Sequence, residues 1–277
     1  MPSIVIPAHQ EERSIGRLLQ ALAPLSGDTD VIVVCNGCLD RTAEVASRVA
    51  PWAKVLELTT SSKPAALDAG DAATDRFPRM YLDADVQIDA AAVALVFDAV
   101  RAGLPAAAAS PAYDTSGASW VVRSHLRFWE RIPANQQGLA GTNAMAVSRA
   151  GRARFARWPM LIGDDYFLDG LFDDAEKARI PGAVVIRPTA LRFLDCVSRK
   201  ARIHQGNIDV RSAGLRTGHR GGGAGGAKAL VRHTPSAIVD LPAHLLVTVA
   251  TRVLSWWRRR RGTSQTWFRD NSRGKPF

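Results

Sequence analysis

Two aspartates that flank one small residue, Asp83 and Asp85, are the side chains of this 277-residue protein best suited to metal chemistry. They follow the apolar run Met80-Tyr81-Leu82, which has the pattern of a buried strand. Carboxylates at the end of a strand can reach a hard cation that phosphate oxygens already hold. We therefore expect Asp83 and Asp85 to bind a divalent metal, Mn²⁺ or Mg²⁺.

Two further polar clusters follow apolar strands in the first half of the chain. They are His9-Gln10-Glu11-Glu12 and Asn36-Gly37-Cys38-Leu39-Asp40. The pattern predicts strands over 3–7, 30–35, 54–58 and 79–82, and helices over 11–23, 40–49, 64–73 and 89–102. This alternation indicates βαβ units, and ligands of such sheets bind at the carboxyl ends of the strands. We therefore expect the three clusters to meet at one edge of a mainly parallel sheet.

The order of these motifs resembles glycosyltransferase family 2, whose members are inverting enzymes with the GT-A nucleotide-diphospho-sugar transferase fold. Val5-Ile6-Pro7-Ala8-His9-Gln10-Glu11-Glu12 is similar to the family's opening "VIPAYNEE", residues 36–42 to its "DGSxDxT" loop, and residues 63–70 to its "KGxALNxG" segment. The likeness covers roughly the first two hundred residues. It implies an α/β fold with a Rossmann-like, mainly parallel central sheet flanked by helices, followed by a C-terminal helical basic tail.

The resemblance also implies which residues contact a nucleotide-sugar donor. The family resemblance makes UDP the first expectation for the carrier. Asn36 and Cys38 stand where the family has aspartate and serine, and the Asn36 departure keeps GDP and dTDP open. The residues expected at the donor are Pro7, Ala8, Glu12, Asn36, Asp40, Lys63, Asp83, Ala84, Arg199 and Arg202. His204 falls where the family often completes the metal shell, so we expect it as a third metal ligand beside Asp83 and Asp85.

The segment Gly163-Asp164-Asp165 resembles the family's "ED" motif, in which the second acid is the general base. The resemblance implies that Asp165, or Asp164 as the alternative, deprotonates an acceptor hydroxyl as it attacks the anomeric carbon in line with the departing diphosphate. Such a single displacement inverts the anomeric configuration and needs no covalent nucleophile. Upstream, Gly141-Thr142-Asn143 resembles the family's acceptor-side glycine segment.

Two other classes of function stay open. A sugar-phosphate nucleotidyltransferase would use a similar sheet and metal-binding acids, but such enzymes usually carry a loop rich in glycine and arginine near the N-terminus. The loop at 9–13 is acidic and has no glycine. A non-catalytic nucleic-acid or membrane-binding protein would explain the net charge of +10. Because the basic residues do not interleave with aromatic residues as in nucleic-acid modules, we expect no nucleic-acid partner.

Three cysteines, Cys35, Cys38 and Cys196, form no disulfide framework and suggest a reducing compartment. Cys35 and Cys38 make a C-x-x-C, but no second Cys or His pair stands at zinc spacing. We therefore expect a cytoplasmic protein without a zinc site.

The C-terminal part of the chain is apolar and then basic. The cleanest apolar stretch, 245–254, is too short to span a bilayer. Trp256 and Trp257 precede Arg258 to Arg261, which suits an amphipathic helix at the inner face of the cell membrane. A helix docked on the domain is an equal alternative. The tail favours a lipid-linked or polysaccharide acceptor. We predict a GT-A domain over 1–210, a flexible glycine-rich loop over 211–236 and a helical basic tail over 237–277.

Overall fold

A seven-stranded sheet forms the centre of the protein, which a computed structural model describes over residues 1–216 and 224–261. The strands are β1 (Ser3–Ala8), β2 (Asp30–Asn36), β3 (Lys54–Leu58), β4 (Arg79–Leu82), β5 (Ala106–Asp114), β6 (Ala144–Val147) and β7 (Lys177–Pro188). Their order across the sheet is β3-β2-β1-β4-β6-β5-β7. Only β6 runs antiparallel to its neighbours, β4 and β5. The α/β class with a mainly parallel sheet is confirmed.

Helices cover both faces of the sheet. They are α1 (Ile15–Leu22), α2 (Thr42–Val49), α3 (Lys63–Ala72), α4 (Ala90–Arg101), α5 (Trp120–Arg131), α6 (Pro133–Gln136), α7 (Arg149–Arg152), α8 (Asp164–Gly170), α9 (Phe193–Ser212), α10 (Ala224–His233) and α11 (Leu241–Arg260). β1 is buried along its whole length, with Ile4 and Ile6 in the core on one face and Val5 in the core on the other. This two-sided burial explains why the strand sequence is a continuous apolar run.

The segment from 106 to 188, which the sequence pattern leaves irregular, supplies three of the seven strands. β5 begins with four consecutive alanines, 106–109, all fully buried. Alanine has weak strand propensity, so packing between β6 and β7 determines this strand more than its own residues do. The sheet therefore extends well beyond the four strands that the pattern predicts.

The C-terminal region is more helical than the sequence predicts. The segment 211–236, predicted as a flexible glycine-rich loop, contains the end of α9 and the whole of α10. Residues 217–223, with most of the glycine run, lie outside the described residues, as do residues 262–277 of the basic tail. Since α9 ends at Ser212, the predicted boundary at 210 falls inside a helix.

α11 packs on α5 and α9 through an inward face, whose buried residues are Ala243, His244, Val247, Thr251 and Ser255. Ser255 donates to Gln205 of α9, and Arg258 donates to the hydroxyl of Ser198 at 2.7 Å. The helix is thus docked on the domain, as one of the two alternatives predicted. The 26-residue stretch Pro235–Arg260 is also long and apolar enough to cross a membrane by its length and composition. The apolar stretch 245–254, on which the sequence prediction rests, is shorter than a bilayer span.

Candidate functional site

A cavity of about 1340 Å³ opens at the carboxyl ends of β1, β2 and β4. Pro7, Asn36 and Asp83, which end or follow these strands, all line it. The three polar clusters therefore meet at one sheet edge, as the alternation of strands and helices predicts. α8 and α9 close the cavity from the other side.

Lys63 joins two acids that lie 81 positions apart in the sequence. It is the first residue of α3, whose N-terminus is capped by Ser62. Its Nζ lies 2.8 Å from Asp83 Oδ1 and 2.8 Å from Asp164 Oδ2. Burial alone would lower the pKa of Lys63, but Asp164 and Asp83 outweigh burial and raise that pKa above its ordinary value. The ammonium is therefore a permanent positive bridge between the two carboxylates.

Asp83 is held at both oxygens. Lys63 donates to one oxygen, and the side-chain amide of Asn143 donates to the other. The backbone N–H of Asp83 donates to the Asn143 carbonyl at 3.0 Å, which extends the β4–β6 ladder by one bond. Burial on its own would raise the pKa of Asp83, but Lys63 and the Asn143 amide hold it below its usual range. Asp83 is therefore an ionised, fixed carboxylate.

The adjacent acids Asp164 and Asp165 begin α8. The chain enters this helix through Gly163, whose φ of 108° is in the left-handed region. α9 approaches the same entry closely, because Gly206 has no side chain and a Cβ there would lie 2.4 Å from the Ile162 carbonyl oxygen. Two glycines thus allow the loop before α8 to pack tightly against α9.

The two acids of α8 have different partners. Asp165 accepts hydrogen bonds from the backbone N–H of Gly141 and of Tyr166, each at 2.7 Å. Asp164 instead pairs with Lys63. Burial, together with the charges of Asp165 and Asp83, raises the pKa of Asp164, although Lys63 acts against them. Both acids line the cavity. We call Lys63 with Asp83, Asp85, Asp164 and Asp165 the acidic edge.

The predicted donor residues Glu12 and Asp40 hold two loops together and are not among the residues that line the cavity. Asp40 accepts from the hydroxyl and backbone N–H of Thr42 and from the backbone N–H of Glu12. Glu12 accepts from the backbone N–H of Arg41 at 3.2 Å. Ala8 is buried, and its carbonyl accepts from the Asn36 amide at 2.8 Å. These residues therefore support Asn36 and Pro7, which do reach the cavity.

The three residues predicted as metal ligands are not brought together as a set. Asp83, Asp85 and His204 all line the cavity, but within residues 1–216 and 224–261 no group of three or more His, Cys, Asp or Glu side chains could hold a metal ion together. Cys35, Cys38 and Cys196 form no disulfide bond within the described part of the chain. The oxygens of Asp83 are already engaged by Lys63 and Asn143.

The basic side chains that the sequence predicts, Arg199 and Arg202, both line the cavity from α9. Arg199 donates to the Pro188 carbonyl at 2.9 Å. The structure adds Arg187, which no motif indicates. This arginine donates to the Gly141 carbonyl and, at 3.2 Å, to the Tyr113 hydroxyl, and its charge helps to lower the pKa of Asp83. Its position on β7 could not be inferred, because β7 itself is not visible in the pattern.

The comparison of the sequence with known families decides the identity of this arrangement. Residues 3–157, more than half of the chain, match Glycosyl transferase family 2. The chain belongs to this family. The resemblance carried by the opening strand, the Asn36 loop and the two aspartates at 83 and 85 is therefore confirmed. No relative among the curated proteins matches this family 2 glycosyltransferase.

Solved glycosyltransferases share the fold of this family 2 protein. A mannosyltransferase from Pyrobaculum calidifontis, in complex with GDP-Man and Mn²⁺, matches with a TM-score of 0.61 and 16% identity over 95% of this chain and 83% of its own. Glucosyl-3-phosphoglycerate synthase from Mycobacterium tuberculosis, in complex with Mn²⁺, UDP-glucose and phosphoglyceric acid, matches with a TM-score of 0.56 and 18% identity, covering 78% of this chain and 79% of that one. The GT-A fold is confirmed.

Proposed function

We propose that this glycosyltransferase moves a sugar from a nucleotide-diphosphate donor to a hydroxyl acceptor by a metal-assisted single displacement. The observation that carries the proposal is the bridge of Lys63 between Asp83 and Asp164. This bridge joins the motif at 83–85, predicted to place the donor, to the motif at 164–165, predicted to supply the general base. Both motifs line one cavity that is large enough for a nucleotide sugar. The mannosyltransferase and the synthase named above, both in complex with a nucleotide sugar and Mn²⁺, support the same class of donor.

The base of the donor would meet Asn36, which lines the cavity and is 2% exposed. Its amide nitrogen donates to the Ala8 carbonyl, while its Oδ1 is buried without a hydrogen-bond partner among the described residues. An unpaired buried acceptor is costly, and a base with an N–H at its pairing edge would satisfy it. Uracil, thymine and guanine present a ring N–H at this edge, whereas cytosine and adenine present only an exocyclic amino group there. We therefore expect UDP, dTDP or GDP, with UDP first.

The acids at 83 and 85 fit a metal that is held mainly by the donor itself. Asp85 would supply a hard oxygen, and the Asn143 Oδ1, buried without a partner among the described residues, is a second oxygen next to Asp83. Divalent ions of this kind keep several oxygen ligands from phosphate and water. When bound, the ion neutralises the charge that develops on the departing diphosphate. His204, which lines the same cavity, stays the predicted third ligand, although no third acid or histidine groups with the motif within the described ranges.

Asp165 is the proposed general base, with Asp164 as the alternative. Asp164 and Asp83 both pair with the ammonium of Lys63, whereas the partners of Asp165 among the described residues are two backbone N–H groups. A carboxylate of this kind retains lone pairs for an incoming hydroxyl and is held rigidly for proton transfer. Arg199 and Arg202 would contact the diphosphate from α9.

A thermal-shift screen tests the donor. UDP-, GDP- and dTDP-sugars should raise the melting temperature in the presence of Mn²⁺, whereas CDP and ADP should not. Asp85→Asn should remove the Mn²⁺-dependent part of the shift, and Asp98→Asn, an exposed acid on α4, serves as the matched control. Release of pyrophosphate from a nucleoside triphosphate and a sugar phosphate would refute the transferase in favour of a nucleotidyltransferase.

We also propose that α11 contacts the inner face of the cell membrane. Its outward face carries large apolar side chains that are 44% to 60% exposed, namely Leu245, Leu246, Val249, Val253, Trp256 and Trp257. Arginines follow directly, and Arg260 and Arg261 stack over Trp256 and Trp257. Exposed indoles beside cations suit the head-group region of an anionic bilayer. A lipid-linked acceptor, or a growing polysaccharide, would then be within reach of the cavity.

Cosedimentation with phosphatidylglycerol vesicles tests this contact. The double change Leu246→Glu and Val253→Glu should abolish binding, because both side chains lie outside the cavity and on the exposed face. Leu194→Glu places the same charge at an exposed leucine of α9 and should leave binding unchanged. Equal binding of the double variant and the wild-type protein would refute the contact.

A further inference from the structure

The wall of the cavity formed by α5, α9 and α11 carries polar groups that lack a hydrogen-bond or ion-pair partner in the part of the chain that the structure describes. We call His125 and Trp129 of α5, Lys200 of α9 and His244 of α11 the Lys200 wall. All four residues line the cavity. None of them belongs to the motifs that place the donor at the acidic edge. Donor binding therefore does not account for the Lys200 wall.

Lys200 is a cation without a counter-ion. Its Nζ lies 4.0 Å from the centre of the Trp129 ring, and among the described residues its ammonium has no hydrogen-bond or ion-pair partner. Burial, with the charges of Arg187 and Arg199, lowers the pKa of Lys200 to about 8. The ammonium is thus still largely charged at neutral pH. An uncompensated charge at a half-buried position costs stability unless a ligand of opposite charge completes it.

Three ring nitrogens of the two histidines of the wall also lack a hydrogen-bond partner within residues 1–216 and 224–261. Their rings stack with centroids 5.0 Å apart, and His125 is 1% exposed. Neither ring nitrogen of His125, nor Nδ1 of His244, has a hydrogen-bond partner among the described residues. Burial and the charge of Lys200 lower the pKa of His125 to about 2 and that of His244 to about 4. Both rings are therefore neutral near pH 7, and each can donate one N–H to a ligand oxygen.

From these groups we infer that the acceptor substrate carries a phosphate monoester, which the Lys200 wall binds. The inference rests on the proposed transferase function and adds the class of its acceptor. A phosphate presents several oxygens to several donors at once, and the ammonium and imidazole N–H groups of this wall are such donors. Trp129 adds an aromatic surface on which the carbon skeleton of the acceptor can pack. The unpaired groups thereby acquire partners when the acceptor binds.

The position of Arg187 separates this phosphate from the donor diphosphate. Arg187 donates to the Gly141 carbonyl, and the backbone N–H of Gly141 in turn holds Asp165 of the acidic edge. The charge of Arg187 also lowers the pKa of Lys200, so Arg187 lies near both the acidic edge and the Lys200 wall. A donor diphosphate at the edge and an acceptor phosphate at the wall would then flank one arginine, with the reacting hydroxyl between them near Asp165.

The same chemistry could come from a soluble phosphorylated acceptor or from a lipid phosphate. Leu245 and Val249 of α11 line the cavity and are also 50% and 58% exposed on the apolar face of that helix. A lipid phosphate could therefore enter along α11, while a soluble one needs only the cavity. The probes must separate these two sources.

The soluble arm is a calorimetric titration of glycerol 3-phosphate, with glycerol as the neutral control. The protein is first saturated with Mn²⁺ and the nucleoside diphosphate that binds best, so that the donor site is filled. Glycerol 3-phosphate should bind the wild type, and Lys200→Met should weaken it about tenfold or more, as expected for a charge-assisted hydrogen bond. Lys200→Arg should restore most of the affinity. Lys54→Met, at an exposed lysine of β3, should have no effect.

The lipid arm is binding to phosphatidylcholine vesicles with and without phosphatidic acid. Binding that requires phosphatidic acid and falls in Lys200→Met, without binding of glycerol 3-phosphate, identifies a lipid phosphate. Failure of both probes, equal affinity of Lys200→Met and wild type, or displacement of glycerol 3-phosphate by the nucleoside diphosphate would overturn the inference. If no nucleoside diphosphate binds but the binding of glycerol 3-phosphate still depends on Lys200, the proposed donor fails, whereas phosphate binding at the Lys200 wall stands.

Discussion

The acidic edge and the Lys200 wall face the same cavity but differ in how their polar groups are satisfied. At the edge, Lys63 neutralises Asp83 and Asp164, and backbone N–H groups hold Asp165. At the wall, the Lys200 ammonium lacks a hydrogen-bond or ion-pair partner among the described residues, and so do both ring nitrogens of His125 and the Nδ1 of His244. A site that is complete by itself is fixed before substrate arrives, whereas a site with unpaired groups is complete only with a ligand. The difference indicates that the acidic edge is preorganised for catalysis, whereas the polar groups of the Lys200 wall gain partners only when an anion binds.

The same substitution at the two lysines should destabilise the protein at Lys63 and not at Lys200. Lys63→Met leaves two buried carboxylates facing each other and should lower the free energy of unfolding by about 3 kcal/mol. Lys200→Met removes a charge that has no counter-ion and should leave the free energy of unfolding unchanged or raise it by about 1 kcal/mol. Urea denaturation at neutral pH measures both. Equal destabilisation by the two changes would erase the contrast between edge and wall.

The pH dependence of the Lys63→Met deficit sharpens this comparison. Without the ammonium, the pKa values of Asp83 and Asp164 in the folded state lie above their unfolded values. The free energy of unfolding of the variant then decreases as the pH rises above the pKa of an aspartate in the unfolded chain, about 4. It recovers as the pH falls back toward that value. The deficit measured by urea denaturation should therefore shrink between neutral and mildly acidic pH. A deficit that stays constant would mean that packing, and not charge, explains the loss.

Anion binding at the wall should weaken as the pH rises through about 8, the value to which burial and neighbouring charge lower the pKa of Lys200. Sulfate is a suitable probe because it stays a dianion over this range. Its affinity, measured by calorimetry, should fall by up to about tenfold per pH unit above that pKa. The charged and titratable groups around Lys200 are Cys196, Arg199, Arg187, His125 and His244. If the pH dependence of the sulfate affinity is the same in Lys200→Met as in the wild type, one of these other groups, and not Lys200, causes it.

The acidic edge could be predicted from the sequence because its motifs are local. Asp83 and Asp85 follow a strand, Lys63 begins a helix, and Asp164 and Asp165 follow a glycine. Parallel strands bring such positions to one edge whatever the details of packing. The pattern could not reveal the link from Lys63 to Asp164, because that contact depends on how α8 packs against the sheet. Nor could it show that Glu12 and Asp40 connect two loops.

The Lys200 wall could not be predicted, because it is assembled from helices far apart in the sequence. His125 and Trp129 share a helix face at spacing i, i+4, which is equally typical of packing. His244 lies more than a hundred residues later, on α11. The packing of α11 on α5 and α9 brings His244 to the wall, and this packing cannot be inferred from the sequence pattern. Arg187 lies on β7, a strand that the pattern does not show. Tertiary packing, which local pattern does not encode, therefore defines this half of the cavity.

The turnover of Asp165→Asn tests the account most directly. With the donor identified by thermal shift and Mn²⁺ present, release of nucleoside diphosphate from the nucleotide sugar should fall by roughly 10² to 10⁴ in kcat, the usual contribution of a general base. The affinity for the donor, measured by calorimetry on the same variant, should stay within about twofold of the wild type, because Asp165 has no proposed contact with the donor. Full activity of Asp165→Asn, or equal loss of donor binding and turnover, would contradict the account.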